Sequence, residues 1–405
     1  MVNIREYESI VGTTMIDELF LLAERLQGRT IVNINSTAVG GGVAEILTRM
    51  IPLLKQLGVD ARWDVIKGNE RFFLTTKKMH NGLHGVPVDI TDDELEEFLQ
   101  VNRENAEAMT FGDTVFVHDP QPMALVEKRA AVGGKWIWRC HIDFSRPLDR
   151  IWKFMEPYIR RYDAAVFSAP AFARELPVPQ VLISPSIDPL SDKNKELPEE
   201  FIGATFERYG IDRSRPVVTQ ISRFDFLKDP VGVIKAYKIA KKRVDMQLVL
   251  AGGGATDDPE GPAVMEQVQA EAAKDKDVFV LFLPPSSDLE INALQRGSTV
   301  VLQKSLREGF GLTVSEALWK ARPVIATSVG GIPLQIAHKY SGILTHSVEG
   351  TAHWMKQLIN EPEYARGLGA RGRDHIRNNF LITRHLKDYL LLFISLVRDG
   401  DIVYL

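Results

Sequence analysis

Short apolar, β-branched runs recur along this chain, separated by stretches with helical spacing. That alternation restricts the fold more than any other feature. "GRTIVNINST" (28–37), "VDARWDVIKG" (59–68), "DTVFVHDPQP" (113–122), "KWIWRCHIDF" (135–144), "YDAAVFSAPAFA" (162–173) and "PQVLISPSID" (179–188) read as strands. "MIDELFLLAERL" (15–26), "GGGVAEILTRMIPLLKQLG" (40–58, stopping at Gly58) and "DDELEEFLQVNRENAEAM" (92–109) read as helices. Such alternation predicts a parallel sheet covered on both faces.

At 184–200, "SPSIDPLSDKNKELPEE" shifts to Pro, Ser and charge, as a domain edge does. The alternation then restarts. "RPVVTQISRF" (215–224), "MQLVLAGGG" (246–254), "KDVFVLFLPP" (276–285), "STVVLQKS" (298–305) and "ARPVIATSVGG" (321–331) give five strands, with helices such as "DPVGVIKAYKIAKKR" (229–243) between them. "LITRHLKDYLLLFISLVRD" (381–399) is a long amphipathic helix whose apolar face offers a homodimer surface. The expectation is α/β: two doubly wound Rossmann-like domains facing each other, with ligands at the carboxyl ends of the strands in the cleft between them.

The 405 residues are 45% hydrophobic and 25% charged, with net charge -4, which argues against a chain built to hold nucleic acid. One cysteine, Cys140, allows no intramolecular disulfide, and the N-terminus lacks a basic start and clean apolar run. A cytoplasmic protein with no membrane span is expected. The nine histidines have no metal-ligand spacing, so no protein-held metal is expected.

Several strand ends carry chemistry. Three glycines in "NSTAVGGGVAE" (35–45) suit either an anion-binding helix N-terminus or a tight turn. In "SRFDFLKD" (222–229), Arg223 and Lys228 suit a diphosphate, or they are solvated charges paired with Asp225 or Asp229. "AGGG" (251–254) is a turn or a close approach. His118 and His141 end strands, while Cys140 and His141 point to opposite faces. In "SLREGFGLTVSE" (305–316), Thr313 and Glu316 fit a capping box. Glu308 has no such structural role and stands just before a helix N-terminus. Gly309, Phe310 and Gly311 offer backbone N–H groups, and two carboxylates there suit a ligand rich in hydroxyls.

In order along the chain, the glycine cluster 40–42, C-H-I-D (140–143), S-R-F-D-F-L-K (222–228), E-G-F-G-L-T-V-S-E (308–316) and G-G-I-P (330–333) resemble retaining GT-B glycosyltransferases of family 4. The start and end look closest to members that join glucose from a nucleotide-glucose to free glucose, giving α,α-1,1-linked trehalose. The resemblance implies an acceptor-side domain at 1–185, a nucleotide-sugar domain at 186–382, and a helix at 383–405 crossing back to the first. It implies that Glu308 binds the transferred sugar and Glu316 the ribose, and that Arg223 and Lys228 hold the diphosphate. Gly41, Gly42 and Val43 close on the donor phosphate, His141 faces the sugar, and 309–313, including Leu312 and Thr313, line the donor. Asp143, His118, Gln121, Asn81 and Trp63 are acceptor candidates. No cofactor is tightly bound; Mg²⁺ would travel with the diphosphate rather than on the protein. The partners implied are a nucleotide-sugar donor and a small sugar acceptor.

Two positions depart from the family pattern: Ala321 and Asp229 stand where glycine is usual. If the first turn needs positive φ, alanine costs about 1 kcal/mol there, so an altered turn is expected. The rival readings are another sugar or lipid acceptor, a nucleotide-sugar 2-epimerase, a pyridoxal-phosphate phosphorylase and a non-catalytic sugar-nucleotide sensor.

Overall fold

A computed structural model of the chain describes residues 3–39, 42–253 and 261–397. The chain divides into two compact units, Met1–Ser186 with Ile382–Leu405, and Ile187–Leu381.

Unit 1 is built on a six-stranded sheet of β1 (Thr30–Asn35), β2 (Asp60–Val65), β3 (Thr114–His118), β4 (Lys135–Cys140), β5 (Ala164–Phe167) and β6 (Gln180–Leu182). The order is β2-β1-β3-β4-β5-β6, and every pairing is parallel. The central strands are buried almost throughout, which is why they read as continuous apolar runs rather than alternating ones. β2 lies to one side of β1 and β3 to the other. The order therefore reverses between β1 and β3, the point where sheets of this kind bind ligands beyond the strands' carboxyl ends. Helix Gly42–Gln56 ends as expected: Gly58 has φ 89, and the Val59 N–H returns to the Leu54 carbonyl.

The last helix, Ile382–Val397, belongs to unit 1 and packs on Thr13–Glu24. Tyr389 and Phe393 stack edge-on against Phe116, and Lys387 pairs with Glu18 at 2.7 Å. Most of its apolar face is therefore spent inside unit 1.

Unit 2 repeats the plan with β7 (Val217–Ile221), β8 (Gln247–Gly252), β9 (Val278–Phe282), β10 (Val300–Gln303), β11 (Val324–Thr327) and β12 (Ile343–Thr345), ordered β12-β11-β10-β7-β8-β9. The sheet has six strands, not five. β12 was missed because three residues give no readable period, and its place is set by pairing with β11. Here the order reverses between β7 and β10. The core is aliphatic, with Val218, Leu248, Leu302 and Ile325 packed under Val233, Tyr237 and Met355. At the end of β8, a Cβ on Gly252 would lie 1.9 Å from the Ser222 carbonyl oxygen, so this glycine of "AGGG" permits a close backbone approach; Gly254 lies outside the described residues. Among the described residues, no helix is long and apolar enough to cross a membrane.

Candidate active site

The switch point of unit 2 brings together some of the residues that the sequence singled out, Lys228, Glu308 and Thr313 among them. β10 ends in the buried Gln303, and β7 carries the buried Gln220 one residue before its end. Gln220 Nε2 donates to the Lys228 carbonyl at 2.9 Å, and its Oε1 accepts the Lys304 N–H at 2.9 Å. One amide thus ties together the two loops that leave the central strands. Gln303 Nε2 donates to Glu308 Oε2 at 3.1 Å, while its Oε1 accepts from the Thr313 hydroxyl at 2.9 Å.

Glu308 is 8% exposed. Besides Gln303, its Oε2 accepts the Ser305 hydroxyl at 3.0 Å and the Lys228 ammonium at 2.6 Å. The expected diphosphate lysine is therefore paired with the expected sugar carboxylate. Arg223 remains 42% exposed along its side chain, with Asp225 Oδ2 at 3.6 Å. Asp229 takes the left-handed conformation (φ 46, ψ 50), accepts the Gly232 N–H at the start of helix Pro230–Lys241, and pairs with Lys304. Aspartate thus fills the usual glycine position by capping from a left-handed residue.

The loop after Glu308 turns its carbonyls inward. Gln335 Nε2 donates to the Phe310 carbonyl at 2.6 Å, and the Gly331 N–H donates to that of Gly309 at 3.1 Å. Among the described residues, the N–H groups of 309–313 make no hydrogen bond, which leaves a run of donors at the start of helix Leu312–Trp319. Gly330 makes this packing feasible: its φ is 55, and a Cβ there would lie 1.6 Å from the Glu308 carbonyl oxygen.

The capping box does not form. Gly311, at φ 82, is the N-cap, so Thr313 is already inside the helix and Glu316 too far along it to reach back. Thr313 turns to Gln303, and Glu316, 2% exposed, accepts from Gln295 Nε2 at 3.1 Å. The turn at Ala321 is not altered either. Ala321 has φ 55, with its N–H on the Leu318 carbonyl and the Arg322 N–H on that of Ala317. The helix end keeps its left-handed residue, and alanine carries the strain.

In unit 1, His118 and His141 meet beyond β3 and β4. His118 Nε2 donates to Asn33 Oδ1 at 3.1 Å, so its Nδ1 accepts from His141 Nε2 at 3.2 Å. This leaves Nδ1 as the ring acceptor of His141. Burial, and then the Arg139 guanidinium, push His118 down to about 3. Desolvation, Arg139 and His118 hold His141 well below the usual histidine range. Both rings are neutral near pH 7.

Asp119 follows His118 at φ 67 and accepts the His141 N–H on Oδ1 at 2.7 Å. Burial raises its carboxyl to about 7, against that hydrogen bond and Arg139, which lower it. Asp119 was not among the sequence candidates; its signal was its place directly after the strand-end His118.

The remaining candidates are more scattered. Trp63 Nε1 donates to Asn35 Oδ1 at 2.8 Å, so its polar atom is committed to β1. Asp143 Oδ1 accepts both the N–H and the hydroxyl of Ser145, at 3.0 and 2.7 Å. The Gln121 carbonyl accepts from Asn102 at 3.0 Å. Asn81 lies on helix Glu70–Leu83, which the sequence reading left unassigned, and among the described residues no hydrogen bond joins its side chain to the histidines. Gly42 and Val43 open helix Gly42–Gln56; Gly41 lies outside the described residues. Cys140 is buried and unpaired with any other cysteine. Among the described residues, no cluster of His, Cys, Asp or Glu could hold a metal ion.

Comparison with known proteins agrees with both units. Residues 33–174 match the family described as trehalose synthase, N-terminal domain, and 202–375 match glycosyl transferases group 1. The trehalose synthase of Pyrococcus horikoshii is 42% identical, across 97% of this chain and 96% of that protein. That of Rubrobacter xylanophilus is 43% identical, over 97% and 96%. Among solved structures, a trehalose-6-phosphate synthase, OtsA, is 13% identical with a TM-score of 0.75, covering 91% of this chain and 99% of that one, a likeness of fold. The two parallel sheets are those of the GT-B architecture, and the chain belongs to the trehalose synthase family of glycosyltransferases.

Proposed function

We propose that the protein moves glucose from a nucleoside-diphosphate-glucose to free glucose with retention, forming α,α-1,1-linked trehalose. The observation that carries this reading is the 42% identity to a trehalose synthase over nearly the whole of both chains. The switch-point residues of unit 2 have chemistry suited to the donor. Glu308 would hold hydroxyls of the transferred glucose and Glu316 those of the ribose.

As the glycosyl bond breaks, negative charge grows on the leaving diphosphate. Lys228, Arg223 and the N–H groups of 309–313 would serve as donors to it, and loss of one such donor costs ~10²–10³ in turnover at comparable sites. Lys228 would exchange part of its bond to Glu308 for the phosphate. That exchange suits a cation that needs no reorganisation of the fold. Mg²⁺, if used, travels with the diphosphate.

Retention through a double displacement requires a carboxylate beneath the anomeric carbon. In this reading Glu308 is occupied with sugar hydroxyls and three hydrogen-bond donors, so front-face attack is preferred. The departing phosphate oxygen then accepts the proton of the attacking hydroxyl. His141, neutral and held by His118 and the Asp119 bond to its N–H, orients a sugar hydroxyl. Incubation with ADP-, UDP- and GDP-glucose plus glucose tests the proposal. A non-reducing disaccharide is expected with at least one donor. Turnover of every donor without such a product, or only with another acceptor, contradicts it.

A further inference from the structure

Glu316 lies inside unit 2, and its direction is set by a chain of buried polar groups. Gln295, on helix Asp288–Gly297 and 0% exposed, donates to Glu316 Oε2 from Nε2 at 3.1 Å. The other end of the same amide, Oε1, accepts the Lys320 ammonium at 2.7 Å. Lys320 follows Glu316 by one helical turn and is 5% exposed. Its Nζ also donates to Asn194 Oδ1 at 2.9 Å and to the Glu316 carbonyl at 3.1 Å. Three acceptors around one nitrogen match the three hydrogens of an ammonium; a neutral amine has two to give.

An amide has a donor end and an acceptor end. With an ammonium against Oε1, the NH₂ must face the carboxylate; a half-turn would set hydrogens against the ammonium and oxygen against Glu316. We propose that Lys320 is a positioning residue for Glu316, acting through Gln295 and anchored by Asn194, so that its charge fixes the direction in which the carboxylate meets the donor. This rests on the reading that Glu316 holds the ribose.

Asn194 is itself held, since its carbonyl accepts from Arg296 Nη2 at 3.1 Å and its Nδ2 donates to the Asp188 carbonyl at 3.0 Å. The charged groups acting on Lys320 are Glu316 and Glu196, which favour its ammonium, and Arg296 and Lys193, which oppose it; burial dominates and lowers it to about 7. As pH rises through that value the ammonium is lost, the amide is released, and donor binding weakens.

The test measures nucleoside diphosphate binding by calorimetry on the full chain, with ADP, UDP and GDP, alongside kcat. Lys320→Met is expected to weaken binding about tenfold, in line with loss of a charged hydrogen bond, and to change kcat far less. Gln295→Met should do the same, and the double variant should add nothing. Wild-type affinity should fall above pH 7, and the Lys320→Met profile should be flat there. Unchanged affinity in Lys320→Met, additive losses in the double variant, or a flat wild-type profile would each overturn the inference. If Lys320→Met does not fold, Gln295→Met and the wild-type profile decide. Glu316→Gln separates the two levels: no effect on affinity removes the ribose reading itself, whereas weakened binding there with normal binding in Lys320→Met removes only the role of Lys320.

Discussion

Lys228 and Glu308, 80 residues apart in sequence, stand 2.6 Å from each other at the switch point of unit 2, with 16% and 10% of their side chains exposed. A pair this sheltered is costly to break from one side, because the partner is left charged and partly desolvated, at roughly 3–5 kcal/mol for fully buried cases. Lys228→Met and Glu308→Gln should each lower the melting temperature and cut turnover by ~10²–10³. The double variant should melt higher than the sum of the two losses implies, with a coupling of about 0.5–3 kcal/mol. Thermal melts of the full cycle check this; strict additivity would mean that the two charges do not interact.

Ala321 carries a left-handed backbone that glycine adopts freely. Ala321→Gly should stabilise unit 2 by about 1 kcal/mol and raise its transition by roughly 2–4 °C. Scanning calorimetry measures it. A lower transition would mean that the turn relaxes when the strain is removed.

Gly330→Ala should do the opposite. Its new methyl would meet the Glu308 carbonyl oxygen, so the 308–311 loop must move. The expected outcome is a loss of turnover like that of Glu308→Gln, with a lower unit 2 transition. Full activity would show that the loop tolerates displacement.

Acid should weaken unit 1. His118, His141 and His385 all have folded values below 6.5, so between pH 6.5 and about 3 the unfolded chain takes up protons that the folded one resists, and stability falls. Asp119 acts in reverse. Its folded value near 7 lies above the ordinary aspartate value of 3.8, so its contribution grows as pH falls between them. Asp119→Asn, which keeps an acceptor for the His141 N–H, should therefore steepen the loss of melting temperature from pH 7 to 4. An unchanged slope would remove Asp119 from this balance.

Much of this was legible in the chain. The restart of the strand–helix alternation near 185 marked the two sheets. The glycines around Phe310 marked a loop between a strand and a helix. What the sequence hid were partnerships. No spacing rule joins Lys228 to Glu308, because they leave different strands that meet only when β7 pairs β10. Gln220, Gln303 and Gln295 read as ordinary polar residues near apolar runs; burial makes them amides that must satisfy both ends. The Thr313–Glu316 spacing met a local rule, but Gly311 starts the helix two residues earlier, and that choice belongs to the packed loop.

The central claim is transfer of glucose with its anomeric configuration kept. Carbon NMR of a reaction with nucleotide-glucose labelled at the anomeric carbon and unlabelled free glucose tests it most directly. The account predicts a single labelled product with the α,α-1,1 linkage. A labelled β-anomeric linkage, or label appearing only in free glucose or in a new nucleotide-sugar, would contradict it.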